Sequence, residues 1–413
     1  MNVDPIGRAY LRLAFQIDQL VPGFIDAYFG PPEWRTADEA DGAIPPDDLH
    51  HNAEALLRDI ATISDELRRE WLTQQVTAML ATLRRVEGET LPFEEELRLV
   101  YDIHPQWTDE REFDDAQRVI GDLLPGAVET QPAASLLADR QEAWDARFDV
   151  PKEKLLPLLT ACCDEAQRRT RQLFALPEGE RVVLQIVQDK PWAGYNWYLG
   201  DYGSRVDVNT DLPVRANSMV GLMTHECYPG HHTEHTVKEQ KLYRQQGHAE
   251  ACVELINAPE CVISEGIADL AEEIIFAESE LKAWLRTEFY PRVDAQRAAD
   301  VERDRAIAMA RRKLRSIGGN AAFLLHRDGA SEQSVVEYIQ RYDASTEKRA
   351  RQLYHFIAEP LYRSYIFTYH YGYELLSRYI ATGDRIARFR TLLEQPLVPS
   401  RIEQWIGDAK RNQ

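Results

Sequence analysis

Five of the chain's eleven histidines fall between His225 and His248, and most of them crowd into Met223-Thr-His-Glu-Cys-Tyr-Pro-Gly-His-His-Thr-Glu-His235. Imidazole nitrogens bind zinc. A glutamate beside a ligand histidine can take a proton from metal-activated water. His225 and Glu226 form such a pair. In the usual His-Glu-x-x-His arrangement the second histidine follows after four residues, on the same helix face and about 6 Å along. Here that position is Pro229. On an unbroken helix His231 would lie roughly 120° round from His225, and His232 would share its face but stand about 10 Å away. Neither could share an ion with His225.

The helix therefore has to break. Pro229 cannot donate to the carbonyl of His225, and its ring crowds that carbonyl. Gly230 can take backbone angles closed to other residues. A bulge at Pro229-Gly230 is expected to fold His231 back towards His225. His232 and His235 remain alternative ligands, since His231 and His235 are four apart and could pair on a helix of their own. For the third ligand the strongest candidate is Glu265 in Ser264-Glu-Gly-Ile-Ala-Asp269. Asp269 lies four residues on, on the same face, and could fix the tautomer of a ligand histidine. Each feature also has a plain reading, as solvated turn histidines or as a polar helix face. The combination favours a metal.

Several further residues could serve such a site. Tyr369 is the first candidate to donate to a developing oxyanion, with His370 and Tyr371 as neighbours. Phe367 to Tyr373 could equally be an aromatic face in the core. Arg205 or Arg215 could hold a substrate carboxylate. The strand expected at Arg205–Asn209 could pair with an extended peptide. Cys227 reads as a packed thiol.

The elements that position these residues read mainly as α-helix. Helical spacing runs over 6–28, 51–87, 93–101, 114–124, 136–148 and 152–174, so residues 1–175 read as an all-helical lobe. Leu176-Pro-Glu-Gly-Glu180 marks a turn. Strands are expected at 181–188, 196–199 and 205–209, with a hairpin at Gly200–Gly203. A helix capped by Asp211 should run from Val214 into His225, and helix should follow from Gln240 almost to the end. Residues 176–413 form the metal-site lobe, integrated with the first.

Composition narrows the function. The net charge of −20 opposes nucleic-acid binding. No apolar run approaches the length of about 18 residues that suggests a membrane span. Five cysteines without a Cys-x-x-Cys pair, and a start without a basic-then-apolar pattern, suggest a reduced cytoplasm. A di-metal oxidase is set aside because no Glu-x-x-His occurs. There is also no nucleophile elbow and no phosphate loop.

His225-Glu-Cys-Tyr-Pro-Gly-His-His232 resembles the hallmark His-Glu-x-x-Pro-Gly-His-His of the bacterial domain-of-unknown-function 885 family. That family is similar in fold to zinc carboxypeptidases of the Thermus aquaticus type, among the gluzincins. The likeness places the His-Glu pair on His225 and Glu226, the Pro-Gly-His on Pro229, Gly230 and His231, the gluzincin Glu-x-x-x-Asp on Glu265 and Asp269, and a Tyr-x-x-Gly on Tyr369 and Gly372. It reaches from the first helices to Tyr379. This chain has Thr233-Glu234 where an apolar residue and Gln are common. The resemblance implies a long-helix metallopeptidase-like fold with a small antiparallel sheet beside the active site. The expected function is a zinc-dependent peptidase of carboxypeptidase or dipeptidase type, acting on a small peptide or amide, with Glu226 as base. An amidase on a non-peptide metabolite and a helical scaffold without activity are the rival readings.

Overall fold

The computed structural model describes residues 4–40, 42–126, 134–190 and 192–411. The protein is mainly α-helical, with two small sheets. The first helix, Pro5–Leu20, starts where the Asp4 carboxylate accepts from the amides of Ile6 and Gly7, with Pro5 in the first turn. It stops at Leu20 instead of running on to Tyr28. Pro22 follows, and Gly23 takes φ +87°, so the chain turns into strand β1, Ile25–Tyr28. The segment 51–87 is likewise two helices, Pro46–Ile60 and Glu66–Val86, the second capped by Asp65.

The remaining strands are β2 (Arg181–Val187), β3 (Gly194–Gly200), β4 (Gly203–Asn209) and β5 (Val253–Leu255). β1 and β5 pair antiparallel, with a bulge between Ile25 and Ala27. Both lie inside stretches expected to be helical. The other sheet has the order β2-β4-β3. β3 and β4 form the expected hairpin, but β2 runs parallel to β4, so this sheet is mixed. β4 is its central strand. Both edges of the Arg205–Asn209 segment are already hydrogen-bonded, and an extended peptide cannot pair there. Along β4, Ser204, Val206 and Val208 face the buried side, while Arg205 alternates to the other.

Three apolar cores hold the helices, and each draws from both sides of residue 175. The largest joins the helices at 113–174 to those carrying His225, Glu265 and Tyr379. The second packs the first helices against Tyr243 to Ala258. The third packs Phe93 to Ile103 against Val262 and Phe367. The site helices therefore lie where the cores meet. Among the described residues, no helix is long and apolar enough to cross a membrane.

Candidate metal centre

The helix Ala216–Glu226 delivers His225 and Glu226 in its last turn. It begins two residues after the expected Val214, and Asp211 does not cap it. The Asp211 carboxylate instead accepts from the amides of Asp189 and Lys190. Beyond Glu226 the helix breaks as Pro229 requires, and the Tyr228–Pro229 peptide is cis. The Gly230 amide reaches back to the Thr224 carbonyl at 3.0 Å. A new helix, His231–Lys238, starts at once. Gly230 has φ −73°, not a left-handed value; what matters is its missing side chain. A Cβ there would lie 1.9 Å from the His225 carbonyl oxygen and 2.5 Å from that of Thr224. This close return brings the rings of His225 and His231 to 4.8 Å between centroids, at 86°.

The third group comes from the helix Pro259–Ile275, which crosses the helix Ile366–Ile380 at a pair of glycines. A Cβ on Gly266 would meet the Gly372 carbonyl oxygen at 2.7 Å, and one on Gly372 would meet that of Val262 at 2.4 Å. So close a crossing lets the Tyr365 hydroxyl donate to Glu265 Oε1 at 2.8 Å. The other oxygen, Glu265 Oε2, is buried and has no hydrogen-bond partner. It lies 3.5 Å from His225 Nε2 and 3.9 Å from His231 Nε2. One ligand atom from each of the three residues falls within 4.8 Å of the others. Donors about 2.0–2.2 Å from a tetrahedral zinc stand about 3.3–3.6 Å apart. The 3.5 Å edge has that spacing, and the 3.9 Å edge is slightly longer. A partnerless buried carboxylate oxygen facing two imidazole nitrogens fits a cation.

Both histidines are held from behind. His225 Nδ1 lies 3.5 Å from Asp269 Oδ1, and Arg315 reaches the other Asp269 oxygen at 3.0 Å. His231 Nδ1 lies 3.1 Å from Ser264 Oγ, which donates to Glu234 Oε2 at 2.6 Å. Burial works against a proton on His225, but the carboxylates of Asp269, Glu265 and Glu226 outweigh it and push its pKa well above the ordinary value. His231 is pushed down to about 4 by burial and by the neighbouring His225. Burial lifts Glu226 to about 7, against the pull of His225. The Glu226 carbonyl accepts from Asn196 Nδ2 of β3 at 2.6 Å, and Gly194 leaves room beside its carboxylate, where a Cβ would stand 3.3 Å from Oε1.

The other candidates separate. His232 points away from the triangle, fully buried, with Nδ1 2.8 Å from Ser204 Oγ and Nε2 2.9 Å from Glu180 Oε2. Tyr228 and Arg171 also donate to Glu180. This cluster ties the start of the His231 helix to the sheet. His235 borders the site: its ring stacks 5.9 Å from that of His231, and its Nδ1 pairs with Glu254 at 2.5 Å. Tyr369 packs its ring 5.6 Å from that of Tyr365, and burial, with the charges of Glu265, Asp269 and Glu226, raises its pKa. His370 packs against Phe367 and Gly319. Tyr371 turns towards Glu403 and the His104 backbone. Arg205 is held by Asp207 at 2.9 Å and lies over Trp197. Arg215 sits at the far end of the His225 helix, tied to Glu142 and Asp149. Each of these four residues is engaged by other partners. Cys227 is buried. Sequence reasoning missed Tyr365, Asn196, Ser264 and Arg315. Only Tyr365 left a signal, four residues before Tyr369 on one helix face.

No family model matches the chain, and no curated protein matches it. Two solved structures share its fold. One is described as "the putative lipoprotein from Colwellia psychrerythraea", with TM-score 0.55 and 15% identity, covering 98% of this chain and 76% of that one. The other is described as "a putative lipoprotein of unknown function from Shewanella oneidensis", with TM-score 0.51 and 12% identity, covering 96% of this chain and 82% of that one.

Proposed function

We propose that this protein is a metal-dependent hydrolase of peptide or related amide bonds. In this reading His225, His231 and Glu265 hold one divalent ion, zinc by donor type, and Glu226 is the general base. The carrying observation is the convergence of His225 Nε2 and His231 Nε2 on the buried, partnerless Glu265 Oε2. The likeness to the domain-of-unknown-function 885 family belongs to the same reading. A bound zinc ion would supply Lewis acidity, acidifying water and polarising a substrate carbonyl.

The chain's own residues supply the rest. Glu226 takes a proton at its carboxylate and returns it to the leaving amine. Asp269 holds the His225 imidazole from behind, so that its Nε2 is turned to Glu265 Oε2, where the cation would be held. Tyr369, with Tyr365 one turn before it, stands on the Glu265 side, where a phenol can donate to the carbonyl oxygen as it gains charge. A carboxypeptidase would need a cation for the substrate's terminal carboxylate, and Arg205 and Arg215 are both engaged elsewhere. The proposed substrates are therefore small peptides and amides. All five cysteines are free, which suits a reducing compartment.

The test is elemental analysis of wild type and His225→Ala, purified without added metal, followed by a screen of short peptides with and without chelator. Stoichiometric zinc in wild type, its loss in the variant and chelator-sensitive hydrolysis are expected. A wild type that binds no divalent metal overturns the reading.

A further inference from the structure

Behind His231 lies a buried series of polar side chains that the hydrolytic reading does not require. Ser264 Oγ is 3.1 Å from His231 Nδ1 and 2.6 Å from Glu234 Oε2. The other Glu234 oxygen accepts from Lys238 Nζ at 2.7 Å, and Lys238 also donates to Glu260 Oε1 at 2.7 Å. Glu234 is 1% exposed and Lys238 8%. Burial disfavours a charge on Glu234, but the Lys238 ammonium outweighs it and holds the carboxyl below its ordinary value.

Hydrogen-bond direction follows from these partners. An ionised carboxylate only accepts, so the Ser264 hydroxyl must donate to Glu234. Its lone pair is then left to accept from His231 Nδ1–H. The imidazole proton is thereby placed on Nδ1, and the Nε2 lone pair is free towards Glu265. A hydroxyl polarised by a buried carboxylate is a stronger acceptor than a free one, which makes Nε2 a better donor. His225 is served differently, by direct contact of Nδ1 with Asp269, whose charge Arg315 partly offsets.

We infer that Ser264, Glu234 and Lys238 are positioning residues: a buried relay that fixes the tautomer and orientation of His231 and tightens its hold on the cation. The inference rests on the metal-centre reading.

The test is zinc affinity, measured by competition with a chromogenic chelator, for wild type, Ser264→Ala and Ser264→Thr, with melting of the metal-free proteins alongside. Ser264→Ala should weaken zinc binding by about 10–100-fold in a metal-free protein that still folds cooperatively but melts lower, since Glu234 loses a buried partner, and Ser264→Thr, which keeps the hydroxyl, should stay within about threefold of wild type. Equal zinc affinity in Ser264→Ala and wild type overturns the relay and leaves the metal centre standing. A loss in Ser264→Thr as large as in Ser264→Ala also overturns it, because packing and not the hydroxyl would then be responsible. A wild type without zinc overturns both.

Discussion

Gly230→Ala is expected to abolish metal binding while leaving the rest of the protein folded. The added Cβ would stand 1.9 Å from the His225 carbonyl oxygen and 2.5 Å from that of Thr224, whereas ordinary contact begins at 3.4 Å. Both obstacles are backbone atoms, so no rotamer change relieves them. The two segments must separate by about 1.5 Å, the shortfall of the closer contact. Overpacking of this kind costs about 1–3 kcal/mol, which a chain with three apolar cores should tolerate. A metal site is less forgiving, since ligand distances are held to about 0.2 Å. His231 follows Gly230 directly, so the separation removes it from the triangle it makes with His225 and Glu265. Zinc affinity should fall by more than about 100-fold, beyond what loss of a hydrogen bond behind a ligand produces. Chelator competition measures the affinity, and near-ultraviolet circular dichroism with thermal melting reports the fold. A folded Gly230→Ala protein that binds zinc within about threefold of wild type would refute the reasoning.

Three further outcomes are expected. Glu226→Gln should keep its zinc and lose at least about 100-fold in hydrolysis rate, as for removal of a general base; wild-type turnover in that variant would remove Glu226 from the chemistry. His231→Ala should lose the metal, whereas His232→Ala should retain it and melt lower, because Glu180 loses a buried partner; elemental analysis of both variants decides this. Glu180 links pH to stability. Burial raises its carboxyl, but His232, Tyr228 and Arg171 outweigh that and hold it at about 2, against 4.5 unperturbed. A depressed carboxyl stabilises the fold above its unfolded value and loses that contribution as pH falls from about 4.5 towards 2, a swing on the order of 3 kcal/mol. Urea unfolding between pH 6 and 3 should therefore show a smaller loss of stability in Glu180→Gln than in wild type, and parallel curves would count against the linkage.

The sequence alone determined the local facts. Pro229 had to break the His225 helix, because a proline removes the donor that the His225 carbonyl needs. The positions of most helices followed from their apolar spacing, and β2, β3 and β4 from their composition. Glu265 and Asp269 shared a face because four residues make about one turn. Tertiary structure decided what depends on neighbours distant in the chain. β1 and β5 are three or four residues long, too short to show a period, and become strands by pairing with each other across more than two hundred residues. The central place of β4 follows from the parallel arrival of β2, which no local pattern announces. His231, His232 and His235 are alike in type and close in sequence. They were separated only by what the fold placed against them: Glu265 and Ser264 for His231, Glu180 and Ser204 for His232, Glu254 for His235. Tyr365 and Tyr369 reached the site because two glycines, more than a hundred positions apart, let their helices cross in near contact. A side chain's type and spacing fix what it can do; the groups that desolvate, pair or orient it come from elsewhere in the chain, and packing alone brings them there.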